Sequence, residues 1–186
     1  MHTTLNSRQL SPDRMRTRSI AFIALMGTLG NIFGFFPITI PTGGLPVSVV
    51  VNFSQLPALL VAVGVGQLEG GITGLLSTLA STILYIKNPL VPVGNFILGY
   101  SAGYFSRKHR PIISCVLGEF IESPFLWASM IIWSGFIMGI PLIALAPIIA
   151  TVNAKAFVEV FLDGLVIELL LGREDLRKSL ESFRLS

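Results

Sequence analysis

The chain has 186 residues, 52% of them hydrophobic and only 12% charged, with a mean hydropathy of +0.76 and a formal net charge of +3. Soluble domains carry about a quarter charged residues, so half that share leaves too little polar surface to coat a water-soluble globule. The composition excludes an ordinary soluble domain and leaves an all-α membrane protein, in which each spanning helix needs about 20 mostly apolar residues.

A polar, basic arm (residues 1–18) comes first. The apolar stretch after it is too long for a typical signal-peptide core and lacks a small-x-small cleavage site, so no signal peptide is expected. Six apolar segments follow, at 20–36, 47–65, 70–86, 90–105, 112–140 and 143–171. "PITIPTGGLP" (37–46) separates the first two with three prolines and a glycine pair, which disfavour continuous helix. "GQLEGG" (66–71), "KNP" (87–89), "SRKHRP" (106–111) and "GIPLIALAP" (139–147) supply the other breaks. Pro57 lies within the second segment and is expected to kink or interrupt it. Residues 19–171 therefore read as a six-helix transmembrane domain. The tail, 172–186, carries "REDLRKSLESFR" (173–184), expected as a short amphipathic helix lying on the surface.

Charge placement tests the count. With six spans, both termini share a side with the second and fourth loops, and eleven of the thirteen Lys and Arg residues fall on that side. The opposite side receives Lys87, and Lys155 is left inside the last segment. Cytoplasmic loops are enriched in Lys and Arg, so both termini are expected to be cytoplasmic in a multi-pass plasma-membrane protein. The net positive charge follows from these loops and requires no nucleic acid as partner.

Lys155, Glu159 and Asp163 recur every fourth residue in the last segment, about 40° and about 6 Å apart on a helix. They form one stripe, bordered by Asn153, and the fifth segment adds Glu119 and Glu122. A charge at mid-bilayer costs at least about 2.5–3.5 kcal/mol, so such groups face the protein interior, water or each other. Two arrangements are open. Lys155 pairs with Glu159 or Glu122 and fixes helix packing, or Lys155 and Asn153 border a polar cavity opening outward. One lysine cannot neutralise four acids, so the inner carboxylates are expected to meet a cationic partner surface.

No catalytic machinery accompanies the stripe. GxxxxGK[ST] and GxSxG are absent, and His2 and His109 lie outside the spans without metal-ligand spacing. No enzyme activity, cofactor or metal is expected. Cys115 is the lone cysteine, which excludes an intrachain disulfide. Glycines four apart (Gly30 and Gly34; Gly66, Gly70 and Gly74; Gly99 and Gly103) are expected to let helices approach closely. Ala21, Ala24, Gly27 and Thr28 form a small-residue face on the first span suited to a partner helix.

"VVVNFSQLPALLVAVGVGQLEGGITGLLSTL" (49–79), followed by "PVGNFILGYSAGYFSRK" (92–108), resembles the substrate-binding S components of energy-coupling factor (ECF) vitamin transporters. Within them the riboflavin S components are most similar, through "FSQLPAL" (53–59) and "GNFILG" (94–99). Gln55 stands where their second-helix motif usually has aspartate. Asn153 and Lys155 echo a "PFNLIKG"-like stretch but are two apart rather than three. Ala24-x-x-x-Thr28 replaces the AxxxA expected against a transmembrane T component.

The resemblance implies a six-helix bundle that captures a vitamin, riboflavin favoured, from the extracellular side. It further implies a T component and two ATPase subunits as partners. The expected substrate-binding residues are Asn52, Phe53, Asn95, Trp127, Asn153, Lys155 and Glu159, with Trp133 as further aromatic surface. The first outer loop, with Pro41, Gly43, Gly44 and Leu45, would act as a lid. Ala21, Ala24 and Thr28 would meet the partner helix. The alternative is a small ion- or proton-coupled secondary transporter that uses the carboxylates of the fifth and sixth helices.

Overall fold

The computed structural model describes residues 12–36, 38–40, 49–86 and 88–183. A helix, α1 (Pro12–Gly34), leads into a two-stranded antiparallel ribbon of β1 (Ile38–Ile40) and β2 (Val49–Val51), with Ile38 opposite Val51 and Ile40 opposite Val49. Then come α2 (Leu56–Gly64), α3 (Gln67–Ser77) and the short α4 (Leu79–Ser81), which runs into a π-helical turn, Thr82–Ile86. α5 (Val91–Phe105) and α6 (Pro111–Met130) follow, the latter prolonged by a π-helical stretch, Ile131–Ile137. A turn through Gly139, whose φ of 73° suits a residue without a Cβ, leads to α7 (Leu142–Leu171) and α8 (Glu174–Glu181).

The helical character expected from composition is present, with the β1–β2 ribbon as an addition at the edges of the Pro/Gly-rich loop. Among the described residues one helix, Pro111–Ile137, is long and apolar enough to cross a bilayer, with 27 residues and a mean hydropathy of 1.4. The second apolar segment departs most from expectation. It enters as strand and becomes helical only at Leu56, so α2 has nine residues, or about 13 Å at 1.5 Å each, well short of a bilayer core. Pro57 does not kink this helix. It sits in the first turn, where a missing N–H costs nothing.

α3 and α5 pack along a seam of glycines. A Cβ on Gly99 would meet the carbonyl of Gly70, one on Gly74 the carbonyl of Asn95, and one on Gly103 would stand 2.5 Å from the Cα of Gln67. α1 joins α3 the same way, since a Cβ on Gly27 would stand 2.6 Å from that of Leu76, and one on Gly30 would meet Ser77. Gly27 therefore faces inward, which corrects its place in the partner-facing set. Asn31 locks the α1–α3 contact. Its Nδ2 donates to the carbonyls of Gly27 (3.0 Å) and Leu76 (2.7 Å), and its Oδ1 accepts from the N–H of Ala80 (2.8 Å), serving the backbone where α3 breaks into α4.

The core is formed by Leu59, Ala62, Leu98, Ala102, Cys115, Val160 and Ile167, with α2 at its centre. Cys115 is fully buried, as a small packing residue should be. α8 does not simply lie on a surface. Leu180 is 4% exposed and packs with Val61 and Val65 of α2, close enough that a Cβ on Gly64 would be 2.8 Å from its Cδ1. Beyond α8, Phe183 stacks on Phe22 at 4.3 Å, and the Arg18 guanidinium lies 5.0 Å from the Phe183 ring centroid. The amphipathic pattern of the tail thus serves intramolecular docking.

Candidate functional site

A cavity of about 710 Å³ lies between the end of α1 and the middle of α7. Its wall combines the segment entering α2 (Asn52, Ser54, Gln55), the start of α5 (Asn88 to Asn95) and one stripe each of α6 and α7. Helical periodicity accounts for the stripes. Glu122, Phe125, Leu126 and Ser129 share one face of α6, and Val152, Lys155, Ala156 and Glu159 share one face of α7.

Glu159 organises the α7 side. Its Oε1 accepts the backbone N–H of Asn52 at 2.7 Å and lies 3.4 Å from the Lys155 ammonium. The carboxylate thereby ties the end of the β2 ribbon to α7. The Asn52 side chain holds the turn into α2, its Oδ1 accepting from the N–H of Ser54 at 3.2 Å. Lys155 is paired yet keeps 31% of its side chain exposed and faces the cavity. Of the two arrangements open at the sequence level, the ion pair with Glu159 forms, and Lys155 borders a cavity while Asn153 does not.

On the α5 side, Asn95 is 5% exposed. Its Nδ2 donates to the Val91 carbonyl at 3.1 Å, and its Oδ1 accepts from Gln55 Nε2 at 3.2 Å. Opposite, Gly94 leaves the space into which Glu122 reaches: a Cβ there would stand 2.7 Å from Glu122 Oε1. Two buried oxygens of this wall, Gln55 Oε1 and Glu122 Oε2, have no hydrogen-bond partner among the described residues. An unsatisfied buried polar group costs about 1–3 kcal/mol, and a bound solute that donates to it removes that cost.

Asn52, Asn95, Lys155 and Glu159 meet on the wall, whereas three residues expected beside them lie elsewhere. Phe53 turns away from the α2 entry into a smaller apolar groove of about 370 Å³ with Phe33, Phe36, Leu56 and Val166. Trp127 lies off the wall stripe of α6 and is 49% exposed on the outside of the bundle. Asn153 Nδ2 donates to Ser123 Oγ at 2.9 Å, a cross-tie between α7 and α6. Its two-residue offset from Lys155 rotates it by about 200°, off the wall stripe. Trp133 is likewise absent from the wall. Pro41, Gly43, Gly44 and Leu45 lie outside the described residues, as does Lys87.

The acids do not form one ladder toward a partner. Glu122 is on the wall, whereas Glu119 and Asp163 are fully buried, and their carboxyl oxygens have no hydrogen-bond partner among the described residues. Asp163 lies on the stretch of α7 where Gly164 packs against Ile112 and Cys115 of α6. A partner's cationic surface cannot reach either, which corrects that expectation. The polar wall residues Ser54, Asn88, Ser129 and Ser134 were not anticipated. Only Ser129 carried a signal, its seven-residue spacing from Glu122.

Ala21, Ala24 and Thr28 are exposed on α1, on a face they share with Ile20, Leu25 and Ile32. Thr28 Oγ1 donates to the Ala24 carbonyl at 2.9 Å, so this face presents little polarity despite its hydroxyl.

No protein-family model matches the chain, and no curated protein matches it. Among solved structures, the fold is similar to that of the S component of a bacterial ECF transporter, with a TM-score of 0.56 and 21% sequence identity over 86% of this chain and 96% of that one.

Proposed function

We propose that this chain is the substrate-capture subunit of an ATP-driven importer of the ECF type, taking a water-soluble vitamin from the extracellular side, with riboflavin the favoured ligand. The observation that carries the reading is the cavity of about 710 Å³, whose wall mixes amide, hydroxyl and charged groups with apolar surface. Its volume is inside the range of about 300–1,000 Å³ common to small-molecule sites, and it lies in a fold like that of an S component. In this reading the chain spans the plasma membrane six times with cytoplasmic termini. The end of α1 beside the cavity then faces outward, as the placement of Lys and Arg requires. Asn52, Asn95, Lys155 and Glu159 contact the ligand, and the loop holding Pro41, Gly43, Gly44 and Leu45 closes over it.

A nucleotide-binding motif is absent from the sequence, so ATP is hydrolysed by two partner ATPase subunits coupled through a T component. The exposed small-residue face of α1 (Ala21, Ala24, Thr28) suits a closely packed partner helix. The test uses the full chain purified in detergent: a flavin absorption spectrum, or quenching of tryptophan fluorescence by a vitamin panel, is expected. In vesicles, uptake should require the T component and both ATPases. Accumulation driven by a pH gradient without any ATPase would refute the proposal and favour the ion-coupled carrier, which the carboxyls of Glu119 and Asp163, without hydrogen-bond partners among the described residues, support.

A further inference from the structure

We infer that the apolar groove between the end of α1, the entry to α2 and α7 seats one acyl chain of a membrane phospholipid. The inference rests on the membrane embedding in the reading above and not on the identity of the solute.

The cavity and the groove share one partition, and residues alternate across it. At the end of α1, Gly34 and Phe35 face the cavity, while Phe33 and Phe36 face the groove. At the entry to α2, Asn52, Ser54 and Gln55 face the cavity, while Phe53 and Leu56 face the groove. That entry is strand and turn, and the nine-residue α2 begins only at Leu56. The space between α1 and Val166 of α7 is therefore left without a full-length helix to fill it. A chain seated there backs the segment that carries Asn52, Ser54 and Gln55 into the cavity.

The lining selects the occupant. The side chains of Phe33, Phe36, Phe53, Leu56 and Val166 carry no polar atom, so a water there lacks the polar partners that would hold it. Left empty, the groove forfeits dispersion contacts along its length. One turn of helix fills about 420 Å³ at a diameter of about 10 Å, more than the 370 Å³ or so of the groove. Five lining residues are also far fewer than the about 20–30 a side of a stable protein interface, too few for a second copy of the chain. A hydrocarbon chain is narrow and apolar enough to fit. All five residues lie within the apolar segments 20–36, 47–65 and 143–171, at hydrocarbon depth in a six-span chain. The groove is also continuous with the exposed apolar side of α1, where Ile32 is 46% and Phe36 72% exposed.

The experiment uses the full chain, delipidated in detergent, with Phe53→Trp as reporter in a Trp127→Phe, Trp133→Phe background. The probe is a phospholipid brominated at mid-chain, since bromine quenches an indole it touches. Quenching is expected to saturate at one phospholipid per chain. Val166→Phe, which fills the groove, should raise the lipid concentration required by about 10-fold or more, the share of about two displaced methylenes. The chain without the reporter gives a second reading. Unbrominated phospholipid should raise its thermal midpoint, as a ligand of the folded state does, and leave that of Val166→Phe unmoved. If Val166→Phe does not fold, Leu56→Phe fills the same groove. Quenching that grows with lipid without saturating, quenching that the filled groove leaves as it was, or an unmoved midpoint in the unmodified chain overturns the inference. So does a reporter signal that follows protein concentration at fixed lipid, which would give the groove to a second copy. A vitamin panel run on the same preparation separates the two readings. Vitamin binding without saturable quenching strikes the groove alone, and saturable quenching without binding of any vitamin strikes capture alone.

Discussion

Glu159 holds the ribbon to α7 through two interactions of different kinds, and substitution separates them. Glu159→Ala removes the acceptor of the Asn52 N–H, a hydrogen bond to a charged group worth about 1.5–3 kcal/mol. It also removes the Lys155 pair, whose ammonium side is nearly one-third exposed and screened by water, so that at most about 1 kcal/mol goes with it. The loss should total about 2–4 kcal/mol. Glu159→Gln keeps an oxygen for Asn52 but turns a charge-assisted bond into a neutral one of about 0.5–1.5 kcal/mol, so it should lose about 1–2 kcal/mol. Lys155→Ala should lose no more than about 1 kcal/mol. Each kcal/mol shifts the thermal midpoint of a domain this size by about 2–4 °C. Melting of the three ligand-free variants in one detergent is therefore expected to place Glu159→Ala lowest, Glu159→Gln next and Lys155→Ala highest. If Lys155→Ala costs as much as Glu159→Ala, the ion pair rather than the backbone bond fastens the ribbon, and this account of the wall is wrong.

Four further outcomes are expected. Gly99→Ala should destabilise by about 1–3 kcal/mol, because its methyl meets the backbone of Gly70 and overpacking outweighs the helix-propensity gain of about 1 kcal/mol. Gly34→Ala, whose methyl has nothing nearer than 3.7 Å, should be neutral or stabilising in the same melt. Leu180→Asp should undock α8 and speed tryptic cleavage at Arg177 and Lys178. Unchanged protection would mean that the contact with α2 does not hold the tail. Asn153→Ala should lose about 1 kcal/mol with its bond to Ser123 and, on the proposed function, leave ligand affinity intact; a large fall in that affinity would return Asn153 to the wall.

Helical character and residue spacing were legible in the sequence because they depend on local properties. Apolar run length, Pro and Gly punctuation and the four-residue recurrence of Lys155, Glu159 and Asp163 are fixed by covalent order and helical geometry. So were the close-packed faces: Gly70, Gly74, Gly99 and Gly103 serve the internal seam that their spacing implied. Which face of each helix meets which neighbour was not legible. Gly27 and Ala24 are three apart and were grouped together, yet only the packing of α1 on α3 turns Gly27 inward and leaves Ala24 outside.

The same distinction governs the site. The sequence by itself determined that Lys155 and Glu159 share a helical face, and that several acids lie in apolar tracts. Only the tertiary structure decided that Glu122 borders a cavity while Glu119, three residues earlier, is sealed, because that depends on where α5 presents Gly94. It also decided that Gln55 meets Asn95 across 40 residues of chain, its Oε1 left without a partner among the described residues. Periodicity orders residues along one helix, whereas a binding wall is made where several helices meet, and no single stretch of sequence carries that meeting.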